Sequence, residues 1–231
     1  MTAARPIFIH GAIAGPASWG GLGERFDGGA VIGLPGHPSG DAITEVPMLV
    51  DWVADTIRHI DAPRALIGHG LGAQVALLVA ARYPDRVAGV TAIGAASRLR
   101  VPEIGLDDLD DAIRTVIDSC TMNPDDMFAE SLELSMQIVG ADTLRADLSM
   151  SAAIDLADVA AQVACPVLLV TGELDPWAPP EEAAALARAL RRSHMIVVNG
   201  AGHLTHADAP VTLQVVIAAF LARLELTLID A

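Results

Sequence analysis

Residues 64–72 read RALIGHGLG, and this stretch decides the fold. Its first part, 64–68, is a short apolar run of the kind that forms a buried strand. The residues from 71 to 83 follow it with a pattern that favours a helix. Glycines on both sides of Gly70 allow a strand and a helix to approach closely across a sharp turn. We therefore predict a strand, a tight bend at Gly70 and a helix.

Similar apolar runs alternate with helical patterns on both sides of this stretch. The other predicted strands are 6–9, 30–33, 87–93, 167–171 and 195–198, and the predicted helices are 47–60, 71–83, 180–191 and 210–226. Short strands that are almost entirely apolar are typical of a parallel sheet buried on both faces. The alternation predicts an α/β fold with a mostly parallel sheet of about six strands and helices on both faces.

The alternation stops between residues 98 and 163. This segment has no clear strand, and its Leu, Ile and Met residues are interleaved with acidic ones: Asp107, Asp108, Asp110, Asp111, Asp125 and Asp126. We interpret it as a small helical cap inserted into a core formed by 1–97 and 164–231. A chain of 231 residues is long enough for one such core and too short for two.

Composition excludes several classes of function. The net charge is −15 and the chain contains no Lys, so we expect no nucleic-acid partner. No apolar run is long enough to cross a bilayer, and residues 1–6 lack the layout of a signal peptide, which predicts a cytoplasmic protein without membrane contact. The two cysteines, Cys120 and Cys165, form neither a disulfide framework nor a metal-binding pattern.

Four segments carry residues suited to chemistry, and each one follows a predicted strand. They are His-Gly-Ala at 10–12, Gly-His-Gly-Leu-Gly at 68–72, Gly-Glu-Leu-Asp at 172–175 and Gly-His at 202–203. Each segment is a weak signal by itself, but the four together, in this order, are specific.

In this order the segments resemble the α/β-hydrolase fold superfamily, in particular its small esterases of the methylesterase type. That superfamily places Gly-x-nucleophile-x-Gly between a strand and a helix and follows it with an acid and then a His. The resemblance covers residues 6–226. It extends to Leu-Pro-Gly-His at 34–37, although Gly33 stands where the superfamily usually has an Asp.

The resemblance implies a role for each matching residue. Gly70 occupies the nucleophile position, His203 would be the general base, and Asp175 would orient it and stabilise its charged form. The backbone N–H groups of Ala12 and Leu71 would form an oxyanion hole, which stabilises negative charge on a carbonyl oxygen.

Other residues near these segments are weaker candidates. His10, Gly11 and Trp177 are predicted to border the substrate pocket, while His37 is interpreted as structural. Glu173 is an alternative to Asp175, and His206 is an alternative to His203. Trp19 and Trp52 are interpreted as packing residues.

The chain departs from the superfamily at Gly70, which has no side chain and cannot form an acyl-enzyme. The adjacent His69 is expected to face elsewhere on the turn. Two enzymatic hypotheses remain open: a carboxylic-ester hydrolase inactivated by replacement of Ser with Gly, and a native enzyme in which the Asp–His pair acts as a general base.

The alternative hypothesis is a non-catalytic relative that binds a small molecule. For either kind of protein we expect a small, neutral, ester-like ligand, no metal or organic cofactor, and a monomer or homodimer.

Overall fold

The computed structural model describes residues 4–12, 15–60, 64–122 and 126–229. Six strands form one sheet in the order β2-β1-β3-β4-β5-β6, and every neighbouring pair is parallel. The strands are β1 (Arg5–Ile9), β2 (Ala30–Ile32), β3 (Arg64–His69), β4 (Gly89–Ile93), β5 (Val167–Gly172) and β6 (Ser193–Val198). The predicted parallel sheet of about six strands is confirmed.

Eight α-helices occur in the described residues. They are α1 (Val46–Ile57), α2 (Leu71–Arg82), α3 (Leu109–Cys120), α4 (Asp126–Val139), α5 (Ala141–Ala153), α6 (Pro180–Ala189), α7 (Thr205–Asp208) and α8 (Pro210–Ile229). The four helices predicted from the sequence correspond to α1, α2, α6 and α8. In α6 and α8 a proline occupies the first turn, where its missing N–H is not needed.

The sheet is covered on both faces because its strands alternate their side chains. In β1, Ile7 and Ile9 join an apolar cluster that also contains Leu77 of α2. Phe8, which lies between them and points the other way, joins a second cluster with Ile217 of α8. All of these side chains are at most 1% exposed. Burial on both faces explains why the strands are almost entirely apolar.

The described residues between β4 and β5 include three α-helices, α3, α4 and α5. Apolar side chains of this segment, among them Val116 and Leu144, belong to the same cluster as α1 and α2. Gln74 of α2 joins α5 through two hydrogen bonds, from its Nε2 to the carbonyl of Ser151 and from the Ser151 hydroxyl to its Oε1. The division into a core and a separate cap therefore stays a prediction, although the helical content of the segment is as expected.

Crossing a bilayer requires a long and strongly apolar helix, and none of the helices in the described ranges meets that requirement.

Candidate active site

The bend between β3 and α2 is centred on Gly70. Its backbone has φ +51° and ψ −116°, a conformation that residues other than glycine rarely adopt. The Gly70 N–H donates to the carbonyl of Ile93 at the end of β4 (3.0 Å), and its own carbonyl accepts the first hydrogen bond of α2 from Gln74. The bend is thus fixed to the sheet on one side and to the helix on the other.

The glycines that flank the bend are required by close backbone contacts. A Cβ on Gly68 would fall against the backbone of Gly72, and a Cβ on Gly72 would fall against the carbonyls of Ile9 and His10. The absence of both side chains lets α2 begin directly above the ends of β1 and β3.

His203 and Asp175 are joined at the same edge of the sheet. Nδ1 of His203 lies 3.0 Å from each carboxylate oxygen of Asp175, and the two side chains are 2% and 0% exposed. Asp175 follows β5 and His203 follows β6, so the carboxyl ends of two adjacent parallel strands bring them together. A neutral His203 bonded in this way donates from Nδ1 and keeps Nε2 as an acceptor.

The carboxylate of Asp175 is held in its charged form. Burial would raise its pKa, but the charge and hydrogen bond of His203 and the N–H groups of Ala178 and Trp177 outweigh burial and lower the pKa. Both N–H groups donate to Oδ1 at 2.8 Å. An ionised, fixed carboxylate of this kind orients an imidazole and stabilises its protonated form.

Gly70 faces the other nitrogen of the His203 ring. A Cβ built on Gly70 would lie 3.5 Å from His203 Nε2 and 3.9 Å from the Cα of Gly11. The structure therefore brings Gly70, Asp175, His203 and Gly11 together, although they are separated by up to 192 positions in the chain.

The imidazole of His203 is enclosed on several sides. Trp177 stacks on it with ring centroids 4.9 Å apart and an interplanar angle of 24°. A Cβ on Gly94 would approach its Cε1 to 2.9 Å. Trp177 is 3% exposed and packs against the imidazole. Its predicted contact with substrate stays a prediction.

His69 lies closer to this pair than predicted. Its Nε2 is 3.0 Å from the backbone carbonyl of His203, and the two rings are 4.7 Å apart. Burial, followed by the charges of His203 and His206, lowers the pKa of His69 well below its usual value. A neutral His69 supports the loop that carries His203.

The segment 10–12 lies opposite the bend. A Cβ on Gly11 would come within 2.7 Å of His69 Nδ1, so only glycine allows this approach. His10 is fully buried: its Nε2 accepts from the Leu34 N–H (2.9 Å) and its Nδ1 lies 2.8 Å from the Gly11 carbonyl. Since both nitrogens are engaged within the protein, these contacts favour a supporting role for His10, and substrate contact by it stays a prediction.

The predicted oxyanion donors occupy suitable ends of their elements. Leu71 is the first residue of α2, and an N–H in the first turn of a helix has no partner within that helix. Ala12 is buried and directly follows Gly11. The residues after it, 13 and 14, lie outside the described ranges. An oxyanion hole formed by Ala12 and Leu71 stays a prediction.

The alternatives considered from the sequence are placed elsewhere. Glu173 accepts from the Gly200 N–H (2.9 Å) at an exposed position. His206 is buried, burial lowers its pKa to about 3, and neither ring nitrogen has a hydrogen-bond partner among the described residues. His37 packs on His10 with ring centroids 4.5 Å apart. His203 differs from the other histidines of this region because its ring is hydrogen-bonded to a carboxylate and also faces Gly70.

Two residues that support His203 were not identified from the sequence. Gly94 has φ +57° at the end of β4 and leaves room for the imidazole. Asp208 accepts from the Gly202 N–H, next to His203 (2.7 Å). A glycine directly after a strand and an acidic residue five positions after the histidine were the available signals.

Within the described ranges, no three His, Cys, Asp or Glu side chains are grouped so that they could share a metal ion.

Comparison with known proteins identifies the family of the chain. The profile of the Alpha/beta hydrolase family matches residues 7–213, which is most of the chain. The chain belongs to the alpha/beta hydrolase family. The matched range of this alpha/beta hydrolase contains Gly70, Asp175 and His203.

Curated relatives of this alpha/beta hydrolase include pimeloyl-[acyl-carrier protein] methyl ester esterases of Neisseria meningitidis. The serogroup A protein is 28% identical over 203 residues, which are 78% of this chain and 64% of that protein. A serogroup C protein is 28% identical over the same share of this chain and 78% of its own length. The chain therefore spans slightly less than two thirds of the first relative.

Solved structures share the fold at low identity. An enol-lactonase from Burkholderia xenovorans has a TM-score of 0.85 at 17% identity, covering 96% of this chain and 92% of that one. A thermophilic esterase has a TM-score of 0.82 at 21% identity, covering 95% and 90%. At these identities the likeness establishes the α/β-hydrolase fold.

Proposed function

We propose that this alpha/beta hydrolase cleaves small carboxylic esters without an acyl-enzyme. His203, oriented by Asp175, would act as a general base on a water molecule in the space beside Gly70. The observation that carries the proposal is the distance of 3.5 Å from His203 Nε2 to the Cβ position of Gly70. The hydroxyl of a serine at residue 70 would contact Nε2 of the imidazole, and a water molecule in place of that hydroxyl would contact the same nitrogen.

The proposed reaction is a single displacement. His203 Nε2 takes a proton from the water as its oxygen attacks the ester carbonyl, and the tetrahedral intermediate carries its negative charge at the N–H groups of Leu71 and Ala12. The intermediate then collapses, and the proton on His203 passes to the departing alcohol. General-base catalysis of this kind contributes about 10²–10⁴-fold.

Burial around the pair supports this chemistry. His203 and Asp175 are 2% and 3% exposed as whole residues, so their charges interact in surroundings that screen them poorly. Trp177 stacks on the imidazole, Gly94 leaves room for it, and Asp175 holds its orientation. A base that is already oriented has little reorganisation to undergo during the reaction.

A cavity of about 330 Å³ beside His206 offers room for the apolar part of a small ester. Trp19 and Phe128 line it together with His206, whose ring lies 4.7 Å from that of His69. This volume is at the lower end of the range for small-molecule sites. The ester names of the curated relatives support the choice of a small ester as the substrate class.

The test is a comparison of hydrolysis rates with p-nitrophenyl butyrate. We expect the chain as it stands to turn over the ester without a burst and His203→Ala to lose about 10²–10⁴-fold in kcat/KM. His194→Ala, at an exposed position, is the matched control and should change nothing.

Gly70→Ser should introduce a burst of p-nitrophenolate. Turnover that occurs only in Gly70→Ser would instead indicate an ester hydrolase inactivated at residue 70. Two folded but inactive forms would favour a small-molecule-binding relative.

A further inference from the structure

A cavity of about 220 Å³ lies at the amino ends of β5 and β6. Pro166, directly before β5, and Ser193, the first residue of β6, both line it. Asp175 and His203 follow the carboxyl ends of the same two strands. Since a strand of six residues spans about 20 Å, this cavity is separate from the candidate active site.

The cavity concentrates positive charge in a chain that is strongly acidic. Arg191, Arg192 and Arg223 line it, and none of the described residues around it is acidic. These are three of the fourteen Arg residues in a chain with a net charge of −15 and no Lys. Unlike Arg82 and Arg100, Arg191 and Arg192 form no ion pair within the described part of the chain. The cavity is therefore a local attraction for an anion.

The three guanidinium groups come from two separate elements. Arg191 and Arg192 lie in the turn between α6 and β6, and Arg223 lies in α8. The turn is fixed to the sheet, because the Arg192 carbonyl accepts from the Val167 N–H at 2.8 Å. The partial negative charge at the end of α6 accounts for cations in the turn but not for the one on α8. Convergence from two elements is the arrangement expected of an anion-binding cavity.

An apolar groove of about 230 Å³ adjoins this cavity between β6 and α8. His194, Phe220 and Arg223 line both the cavity and the groove. The remaining residues of the groove are aliphatic: Leu168, Ile196, Val215, Val216 and Ala219. Val215 is 62% exposed, so apolar surface in the groove stays in contact with water. An alkyl chain that covered this surface would be held by the hydrophobic effect.

We propose that the cavity and the groove together bind a short- or medium-chain fatty-acid anion. The carboxylate would lie among Arg191, Arg192 and Arg223, and the alkyl chain would extend past Phe220 toward Val215. Arginine offers paired N–H donors that match the two oxygens of a carboxylate. The charged part is a concave cavity, which fits a small head group better than a flat membrane surface. This inference is independent of the proposed ester hydrolysis.

The experiment titrates the full chain with sodium octanoate by isothermal titration calorimetry, below the concentration at which octanoate forms micelles. We expect one octanoate per chain. Acetate lacks the alkyl chain and octan-1-ol lacks the charge, so each should bind at least about tenfold more weakly. From hexanoate to octanoate the affinity should rise by up to about fifteenfold, because two more methylene groups are buried.

The cationic part of the site is tested by a pair of double variants. Arg191→Gln combined with Arg192→Gln should weaken octanoate binding by about tenfold, the effect of losing a charge-assisted hydrogen bond. Arg114→Gln combined with Arg145→Gln, at exposed positions elsewhere, is the control and should bind octanoate as the unaltered chain does. All four side chains are exposed, so both proteins should fold, and thermal unfolding checks this.

The apolar part is tested by two valines of the same helix. Val215→Asp places a carboxylate in the groove and should weaken octanoate binding by about tenfold while leaving acetate binding nearly unchanged. Val211→Asp is the matched control, because Val211 is 69% exposed on α8 and does not line the groove. It should leave octanoate binding unchanged.

Octanoate that does not bind, or that binds equally well to all of these variants, would overturn the proposal. Tighter binding of inorganic phosphate than of octanoate would also overturn it, since the site would then recognise a head group alone. Without octanoate binding, association with phosphatidylglycerol vesicles would assign this surface to a membrane. A dimer that is lost in Val215→Asp would assign it instead to a second copy of the chain. Either result would replace the fatty-acid site.

Discussion

The carboxylate of Asp208 accepts a hydrogen bond from the backbone N–H of Gly202 at 2.7 Å. Its other oxygen accepts from the N–H of Met122, just after α3, at 2.9 Å. The Leu204 N–H donates to the carbonyl of Cys120, the last residue of α3, at 2.8 Å. The loop that carries His203 is therefore attached on both sides to the end of a helix in the segment between β4 and β5.

Asp208→Asn should weaken this attachment, because an amide nitrogen would face one of the two N–H groups. We expect a loss of about 1–3 kcal/mol in the free energy of unfolding, the usual cost of an unsatisfied buried polar group. If the loop positions His203, kcat should fall more than KM changes. Denaturant unfolding and steady-state kinetics measure the two effects, and Asp118→Asn, exposed on α3, is the control. Equal free energies of unfolding and equal kcat values for both variants would contradict the positioning role.

Gly72→Ala should be strongly destabilising. The added Cβ would fall against the carbonyls of Ile9 and His10, which belong to the central strand region and cannot move freely. Overpacking of this kind costs about 1–3 kcal/mol and more where backbone is involved. Gly105→Ala is the matched control because a Cβ there meets nothing within 4 Å. Thermal unfolding that is unchanged in Gly72→Ala would show that α2 does not begin where described.

Some features of the fold and of the candidate site were predictable from the sequence. The strands around Gly70 and their assembly into a mostly parallel sheet were predictable because a strand buried on both faces must be apolar along its whole length. The Asp175–His203 contact was expected from the resemblance to the α/β-hydrolase superfamily, in which an acid and then a His follow the nucleophile segment. These features depend on local pattern and on the general geometry of the fold.

Other features depend on contacts between distant segments, which no local pattern encodes. The attachment of the His203 loop to α3 joins residues 86 positions apart, and the sequence near Asp208 does not indicate its partner Met122. The contact of His69 with the His203 carbonyl spans 134 positions. The bounds of α3, α4 and α5 were also beyond prediction, because apolar and acidic residues are mixed throughout 98–163.

The buried carboxyl of Asp147 should make stability depend on pH. Burial raises the pKa of Asp147 from 3.8 to about 8, and its nearest basic group, Nε2 of His37 at 3.3 Å, has a pKa that burial lowers. The folded protein therefore keeps a proton on Asp147 that the unfolded chain has lost between about pH 4 and pH 8, so the contribution of Asp147 to the free energy of unfolding falls as pH rises through this range. The lowered pKa values of the buried histidines act in the opposite direction below about pH 6.5.

Asp147→Asn should remove that dependence. We expect the free energy of unfolding of Asp147→Asn, minus that of the unaltered protein, to increase from about pH 5 to about pH 8. Urea unfolding at each pH measures this difference. Asp142→Asn, at an exposed position in the same helix, should leave the pH dependence unchanged. A parallel pH dependence in all three proteins would contradict an uncharged Asp147 in the folded state.

Charge on the substrate should affect the rate in a salt-dependent way. The chain has a net charge of −15, and the segment 98–163 contains fourteen Asp and Glu residues and four Arg. An anionic ester is repelled by this field, whereas a neutral ester of similar size is not. We expect kcat/KM for p-nitrophenyl butyrate to exceed that for the hemisuccinate at low salt, and the ratio to shrink as salt rises. A preference for the anion would contradict the expected neutral substrate.

The proposed chemistry requires the bend at Gly70 to present its empty Cβ position to an imidazole held by Asp175. The most direct measurement is the intact mass of Gly70→Ser after treatment with a fluorophosphonate. We expect addition of one phosphonyl group at position 70, none in the unaltered chain, and none when His203→Ala is combined with Gly70→Ser. A folded Gly70→Ser protein that stays unmodified, or that reacts equally well without His203, would contradict it.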